Sequence, residues 1–276
     1  MDLVLQHKDF SRCDLGRLAG LGRPSENLGG RVLRFEVADN FSLSDAVAAD
    51  LARQQIDYAL LPRYRFGDLG LIVSDMDSTL INIECVDEIA AGAGLKGQVA
   101  AITELSMRGE LDFEQSLRRR VGLLAGLPVG VLQDVYDNVL RLSPGAESLL
   151  DECRRHGVKF MLVSGGFTFF TDRLAARLGL DYAFSNELEI SDGKLTGRLK
   201  GRIIDAQAKA GLLREYRIRL NLQKGQTAAV GDGANDIPML GEAGFGVAYH
   251  AKPRAAAAAD ACIRYGGLDM LRGWFV

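Results

Sequence analysis

The chain has 276 residues, 47% of them hydrophobic, which is enough for one good-sized core and a second small domain. Its 33 basic and 36 acidic residues are spread along the sequence and leave a net charge of -3, so no polybasic tract offers itself to nucleic acid or to anionic lipid. Charges interrupt the opening MDLVLQHKDF, and no apolar run approaches the roughly 18 residues of a bilayer span, so neither a signal peptide nor a membrane anchor is predicted. Cys13, Cys85, Cys153 and Cys262 lie far apart with no CxxC pair, which argues against a zinc site or a disulfide framework and suits a reducing cytoplasm.

In chain order, short apolar runs at Leu3–Leu5, Val32–Val37 and Tyr58–Leu61 alternate with helix-like stretches around Leu15–Leu21 and Ala46–Gln54. That order predicts a small amino-terminal α/β module. Proline, glycine and charge then break the periodicity over Pro62–Gly70, and the domain boundary falls there, giving 1–66 and 67–276. Apolar strands at 71–74, 160–164, 182–185 and 227–231 alternate with helices and predict an α/β fold with a doubly wound, mainly parallel sheet. Between the first two strands, residues 84–142 are almost wholly helical and too many for an ordinary crossover, so they form a cap insert over the sheet's active edge. ELEI and KLTG flank Asp192-Gly193, a strong hairpin signal. Ala255–Ala259 is a good helix former.

Three strand ends carry chemistry. LIVSDMDSTL ends an apolar strand in Asp75 and Asp77, followed by Ser78 and Thr79. Side chains two apart in an extended segment project the same way, so both carboxylates reach one space beyond the strand, where open α/β sheets bind ligands. Crowded carboxylates call for a cation or a shared proton, and oxygen ligands suit a hard ion such as Mg²⁺. Helix capping is the plainer use of Asp, Ser and Thr here. FMLVSGGF ends a second strand in Ser164, with Gly165 and Gly166 forming a strand-to-helix turn in which backbone N–H groups can approach a phosphate. TAAVGDGANDIPM ends a third in Asp232, Asn235 and Asp236, richer in acids and amides than a turn requires. Lys209 lies in the first turns of a helix after the hairpin, where its charge opposes the helix dipole. Gly92, Gly94 and Gly97 spell GxGxxG, but they follow a helix-like segment, so no dinucleotide site is expected.

In order along the chain, DMDST at 75–79, SGG at 164–166, Lys209 and GDGAND at 231–236 resemble the four motifs of the haloacid dehalogenase superfamily of phosphatases. IECVDEIA at 83–90, RGELDFEQSLRRRV at 108–121, SGGFTFF and VGDGANDIPM narrow the resemblance, over about residues 70–265, to members that hydrolyse O-phosphoserine. The resemblance implies Asp75 as nucleophile and Asp77 as the acid for the leaving oxygen and then the base for water. It implies Mg²⁺ held by Asp75, the Asp77 backbone carbonyl and Asp232. Ser164, Gly165 and Lys209 would hold the phosphoryl oxygens, with Asn235 helping to fix that site and Asp236 orienting Lys209 or a water beside the ion. The same pattern puts Glu84 on the substrate's ammonium, Arg120 on its carboxylate, and Met107 and Phe113 on the apolar wall.

The residues allow one independent check. At about 100° per residue Phe113, Leu117, Val121 and Leu124 share a helix face, and of three adjacent arginines only Arg120 falls on it. An inward guanidinium needs an anion, either a substrate carboxylate or a structural partner such as Glu84 or Glu88. A phosphorylated receiver domain is the rival from another class, but receivers lack the cap insert and the second acid at Asp77. Residues 1–66 carry no catalytic pattern. Regulatory, dimerising and purely stabilising roles stay open for them, with a homodimer as the assembly to test.

Overall fold

A computed structural model describes residues 1–108 and 110–276, the Met107 side chain apart. The expectation for Met107 therefore lies outside the described residues. Strands β1 (Asp2–Gln6), β2 (Ser25–Asn27), β3 (Val32–Glu36) and β4 (Asp57–Leu61) form an antiparallel sheet in the order β2-β3-β1-β4. Helix α1 (Asp45–Arg53) starts where the Ser44 hydroxyl accepts from the Val47 N–H. Because neighbouring side chains leave a strand on opposite faces, Leu3 and Leu5 join Leu18, Phe35 and Leu51 in the module's own core, whereas Val4 joins Val32, Trp274 and Phe275 in the main one. Both faces of this sheet are thus covered, which is why its opening strand reads as a solid apolar run.

β5 (Leu71–Ser74) begins a seven-stranded sheet. Helices α2 (Cys85–Gly92), α3 (Lys96–Met107), α4 (Phe113–Gly122) and α5 (Gly130–Asp134) follow it as the expected cap, and α6 (Ala146–His156) returns the chain to the sheet. Then come β6 (Lys159–Phe167), α7 (Thr168–Leu178), β7 (Tyr182–Ser191), β8 (Lys194–Lys200), α8 (Ala206–Arg219) and β9 (Thr227–Gly231). The chain closes with α9 (Ile237–Glu242), β10 (Phe245–Tyr249), α10 (Pro253–Ala258) and β11 (Ala261–Ile263). The strand order is β11-β10-β9-β5-β6-β7-β8, parallel except for β7 with β8. Every residue of β5 and β9 is buried, as expected of parallel strands covered on both faces.

Two local readings change. The strand at 182–185 and the first arm of the hairpin are one strand, β7, whose start pairs with β6 and whose end pairs with β8. The SGG segment is no tight turn. β6 runs extended to Phe167, because Asn186 holds it by donating its Nδ2 to the Gly165 carbonyl at 2.8 Å while Phe167 pairs with Asn186. β10 and β11 escape the periodicity reading, the first through Gly246 and the second through its three-residue length. Gly246 is a point of close approach, since a Cβ there would meet the Leu240 carbonyl oxygen at 2.9 Å.

The hairpin clasps the cap. Asp192 and Gly193 have φ of 49° and 72°, a two-residue turn of the primed type, and the backbone N–H groups of Gly126 and Val129 donate to the carbonyls of Leu195 and Gly193. A Cβ on Gly197, at φ 78°, would lie 2.9 Å from the Ala125 Cβ, whereas one on Gly201, at φ 69°, meets nothing within 4 Å. Gly201→Ala is expected to cost only the left-handed backbone penalty of about 1–2 kcal/mol. Gly197→Ala adds an overpacking cost of about 1–3 kcal/mol. Urea midpoints of the two variants test this, and equal midpoints would mean that the cap does not press on the hairpin.

Candidate active site

β5, β6 and β9 are neighbours in the sheet, so their carboxyl ends open onto one edge. Asp75 follows β5 directly. Its Oδ1 accepts from the Met76 N–H at 2.7 Å and from Lys209 Nζ at 2.7 Å, while among the described residues its Oδ2 has no hydrogen-bond partner. The chain then makes one wide turn over Met76–Leu80, with Ser78 in the left-handed region at φ 55°. Local bonds hold that conformation: the Ser78 N–H donates to the Ile83 carbonyl at 3.1 Å and its hydroxyl to Glu84 at 2.7 Å. The turn brings Asp77 back over the strand end, where its Oδ1 accepts from the Cys85 N–H at 3.3 Å.

On β6, Ser164 is buried and its Oγ accepts from the Gly166 N–H at 2.8 Å. The two glycines answer a need for space. A Cβ on Gly165 would stand 2.9 Å from the Phe113 ring, and one on Gly166 would stand 2.8 Å from Met76 Cε and 3.0 Å from Asp77 Oδ2. After β9, Gly231 leaves room for the Asp236 carboxylate, which accepts from the N–H groups of Asp232 and Gly233 at 3.2 and 2.9 Å. Asn235 stands beside it. Lys209 is the fourth residue of α8, which begins where the Asp205 side chain accepts from the Ala208 N–H. Fully buried, it bridges Asp75 and Asp236 at 2.7 and 2.8 Å.

Among the described residues, one carboxylate oxygen from each of Asp75, Asp232 and Asp236 lies within 4.8 Å of the others. The sequence-based set paired Asp75 and Asp232 with a backbone carbonyl; the carboxylate cluster adds Asp236, already engaged by Lys209. Burial, and next the Asp236 charge, push Asp75 well above the usual carboxylate range, against the pull of Lys209. Burial and Asp236 likewise push Asp232 to about 6. Burial would lower the Lys209 ammonium, but Asp75 and Asp236 outweigh it and hold it above its ordinary value. A donor set made only of oxygens, buried and reluctant to ionise alone, fits a hard cation. Asp77 is pushed to about 7 by burial and by Glu84, against the Cys85 hydrogen bond, and so can give or take a proton near neutrality.

These groups face a cavity of about 320 Å³ lined by Asp75, Asp77, Ser164, Gly165, Asp232 and Asn235. Glu84, Phe113 and Arg120 close it from the cap side. α4 is set by a capping box between Asp112 and Gln115, and it turns Arg118 and Arg119 outward while Arg120 is half-buried. Arg120 forms no ion pair among the described residues, and its buried Nε has no hydrogen-bond partner.

Residues 72–241 match the family described as haloacid dehalogenase-like hydrolase. The chain belongs to this family. It is similar to a phosphoserine phosphatase of Polaromonas sp., 54% identical over 215 residues that make up 76% of this chain and 91% of the other. A haloacid dehalogenase family hydrolase of Salmonella enterica serovar Typhi superposes with a TM-score of 0.89 at 34% identity, over 99% of this chain and 97% of that one. A substrate-bound phosphoserine phosphatase superposes at 0.71 with 40% identity, over 75% of this chain and 99% of that one.

Within this haloacid dehalogenase-like site the sequence reading missed two contributors. Lys252 lines the cavity, and its N–H donates to the Asp232 carbonyl at 3.0 Å. Thr79 donates its hydroxyl to Asp232 Oδ1 at 3.4 Å. Lys252 gave no signal among 33 basic residues, whereas Thr79 stood inside a recognised segment. Replacing Lys209 by methionine leaves Asp75 and Asp236 without their buried counter-charge, so Lys209→Met is expected to lose about 3–5 kcal/mol of stability. Chemical denaturation checks this; a loss under 1 kcal/mol, on the scale of an exposed pair, would mean that the ammonium is not the charge holding the site together.

Proposed function

We propose that the chain hydrolyses O-phosphoserine to serine and inorganic phosphate, with Asp75 carrying the phosphoryl group between two half-reactions. One observation carries this reading: a single cavity joins Asp75, Ser164 and Asp232 on its floor to Glu84 and the unpaired Arg120 on its cap side. Such a cavity offers one end to a phosphate and the other to an ammonium and a carboxylate, the three charged groups of phosphoserine. The planar fork of Arg120 matches the carboxylate, and Glu84 matches the ammonium.

In the first half-reaction Asp75 Oδ2 attacks phosphorus while the bond to the seryl oxygen breaks, and Asp77 gives that oxygen its proton. Serine leaves. In the second, the Asp77 carboxylate takes a proton from water as the water oxygen attacks phosphorus, and the bond between phosphorus and Asp75 breaks to release phosphate. Ser164, the Gly165 N–H and Lys209 hold the phosphoryl oxygens throughout, with Asn235 and Asp236 fixing their positions, since positioning and charge neutralisation are most of what phosphoryl transfer requires. Asp75, Asp232 and the Asp77 backbone carbonyl would hold Mg²⁺, which would supply further charge neutralisation when bound. The product is serine, so the reaction is the last step of serine biosynthesis, carried out in the cytoplasm.

The decisive measurement is phosphate release from phosphoserine, phosphothreonine and a sugar phosphate, with Mg²⁺ and after chelation. Phosphoserine should be preferred in kcat/KM and activity should vanish on chelation and return with Mg²⁺; equal use of the three esters sinks the assignment. Asp75→Asn should abolish ³²P labelling of the protein, and Asp77→Asn should slow turnover. Normal hydrolysis by the Asp75 variant excludes the mechanism. Arg120→Ala removes hydrogen bonds to a charged group worth about 1.5–3 kcal/mol, so KM for phosphoserine should rise about 10–100-fold. KM for O-phosphoethanolamine, which has no carboxylate, should barely move, and an equal rise for both would place Arg120 on the phosphate instead.

A further inference from the structure

The cap side of the active-site cavity carries one carboxylate to which the mechanism gives no task. Asp87 lines the cavity with Glu84 and Arg120 and is half-buried. Its Oδ1 is buried without a hydrogen-bond partner, and among the described residues Asp87 enters no ion pair. Oδ1 is closed off inside the protein, which leaves Oδ2 as the oxygen that can meet what the cavity admits.

An acid at this position ordinarily serves its own helix. Asp87 is the third residue of α2 and its N–H donates to the Glu84 carbonyl at 3.1 Å, so the two acids share the opening turn, at the positions whose side chains exchange bonds with the backbone in a capping box. Neither side chain does so here. Glu84 makes no side-chain capping bond, and its Oε1 accepts from the Ser78 hydroxyl at 2.7 Å instead. Arg120 does not take up Asp87 either, since it forms no ion pair among the described residues and its own Nε is unmet. The helix itself gains only the weak attraction of a first-turn acid to its dipole.

With phosphoserine in the cavity, the reading on which this rests, the ammonium brings three N–H donors and no acceptor. Glu84 has already given part of one oxygen to Ser78, so a second acid on the same turn supplies acceptor capacity that Glu84 alone lacks. The two acids also outnumber Arg120 on that side of the cavity, which suits a cation lodged beside them. We propose that Asp87 is a specificity-determining residue, sharing the substrate's ammonium with Glu84 through Oδ2 and so selecting amine-bearing phosphoesters over the same esters without the amine.

Steady-state kinetics of the full chain with Mg²⁺ on three esters test this: phosphoserine, O-phosphoethanolamine, which keeps the amine without the carboxylate, and 3-phosphonooxypropionate, which keeps the carboxylate without the amine. Asp87→Asn preserves the shape of the side chain and removes its charge. It should raise KM about tenfold for phosphoserine and for O-phosphoethanolamine, the value of one good polar contact, while KM for 3-phosphonooxypropionate should barely move. Should Asp87→Asn fail to fold, Asp87→Ser removes the same charge from a smaller side chain and should give the same pattern. A rise confined to the two carboxylate esters would mean that Asp87 acts by holding Arg120, and an equal rise for all three, or none, would leave it a purely structural acid; each of these overturns the proposal. The wild-type chain separates the two claims. If it prefers phosphoserine and the variants show no amine-selective loss, only the role of Asp87 falls, whereas a wild type with no preference for phosphoserine overturns the reading of the cavity and the role of Asp87 together.

Discussion

Among the described residues Lys209, buried between Asp75 and Asp236, is the one buried ammonium at the edge where the carboxyl groups of Asp75, Asp77, Asp232 and Asp236 gather. Packing so much like charge out of water is unfavourable unless each group is fixed and partnered. The surrounding framework supplies that fixing. β5 stands between β6 and β9 with its register set by parallel ladders on both sides, so the three strand ends cannot slide relative to one another. Gly231 lets Asp236 fold back onto the amides of residues 232 and 233, and the bonds around Ser78 return Asp77 to the same space. A framework this constrained leaves an excess of negative charge that a cation would offset.

The amino-terminal module is welded to this framework. Trp274 and Phe275, fully buried near the end of the chain, pack with Val4 and Val32 on one side and Phe66 on the other. The sheet face turned toward the catalytic body also buries Asp2, Gln6, Arg34 and Asp57. Arg34 donates to the Gly273 carbonyl at 2.8 Å, and Arg31 pairs with Asp269 at 2.6 Å. An interface that buries charged and polar side chains alongside apolar ones resembles the contact between separately folded bodies more than a single core.

How much of this was legible depended on the range of the interactions involved. β5 and β9 were readable to the residue, because strands buried on both faces write themselves as uninterrupted apolar runs ending in chemistry. The inward turn of Arg120 was readable from helical period alone, and the Asp192-Gly193 turn from its backbone demand. Lys252 was not, because it reaches the cavity only through the pairing of β10 with β9 and the loop that follows. Nor was the extended form of Ser164–Phe167, which an asparagine more than twenty residues away enforces. The carboxylate cluster with Asp236 lay between the two: its members were all singled out, but their arrangement rests on Gly231 and Lys209 acting across separate elements.

The clasp between hairpin and cap ties two helices of the cavity's surroundings together. Three backbone hydrogen bonds join residues 126–129 to residues 193–195, so the cap cannot swing outward without dragging the hairpin or severing them. From the far end of β8, only residues 201–205 separate the hairpin from α8, and Ile204 is moored to Asn186 on the way. The helix that carries Arg120 and the helix that carries Lys209 are therefore mechanically geared. A displacement of α4 is passed through that short tether to α8.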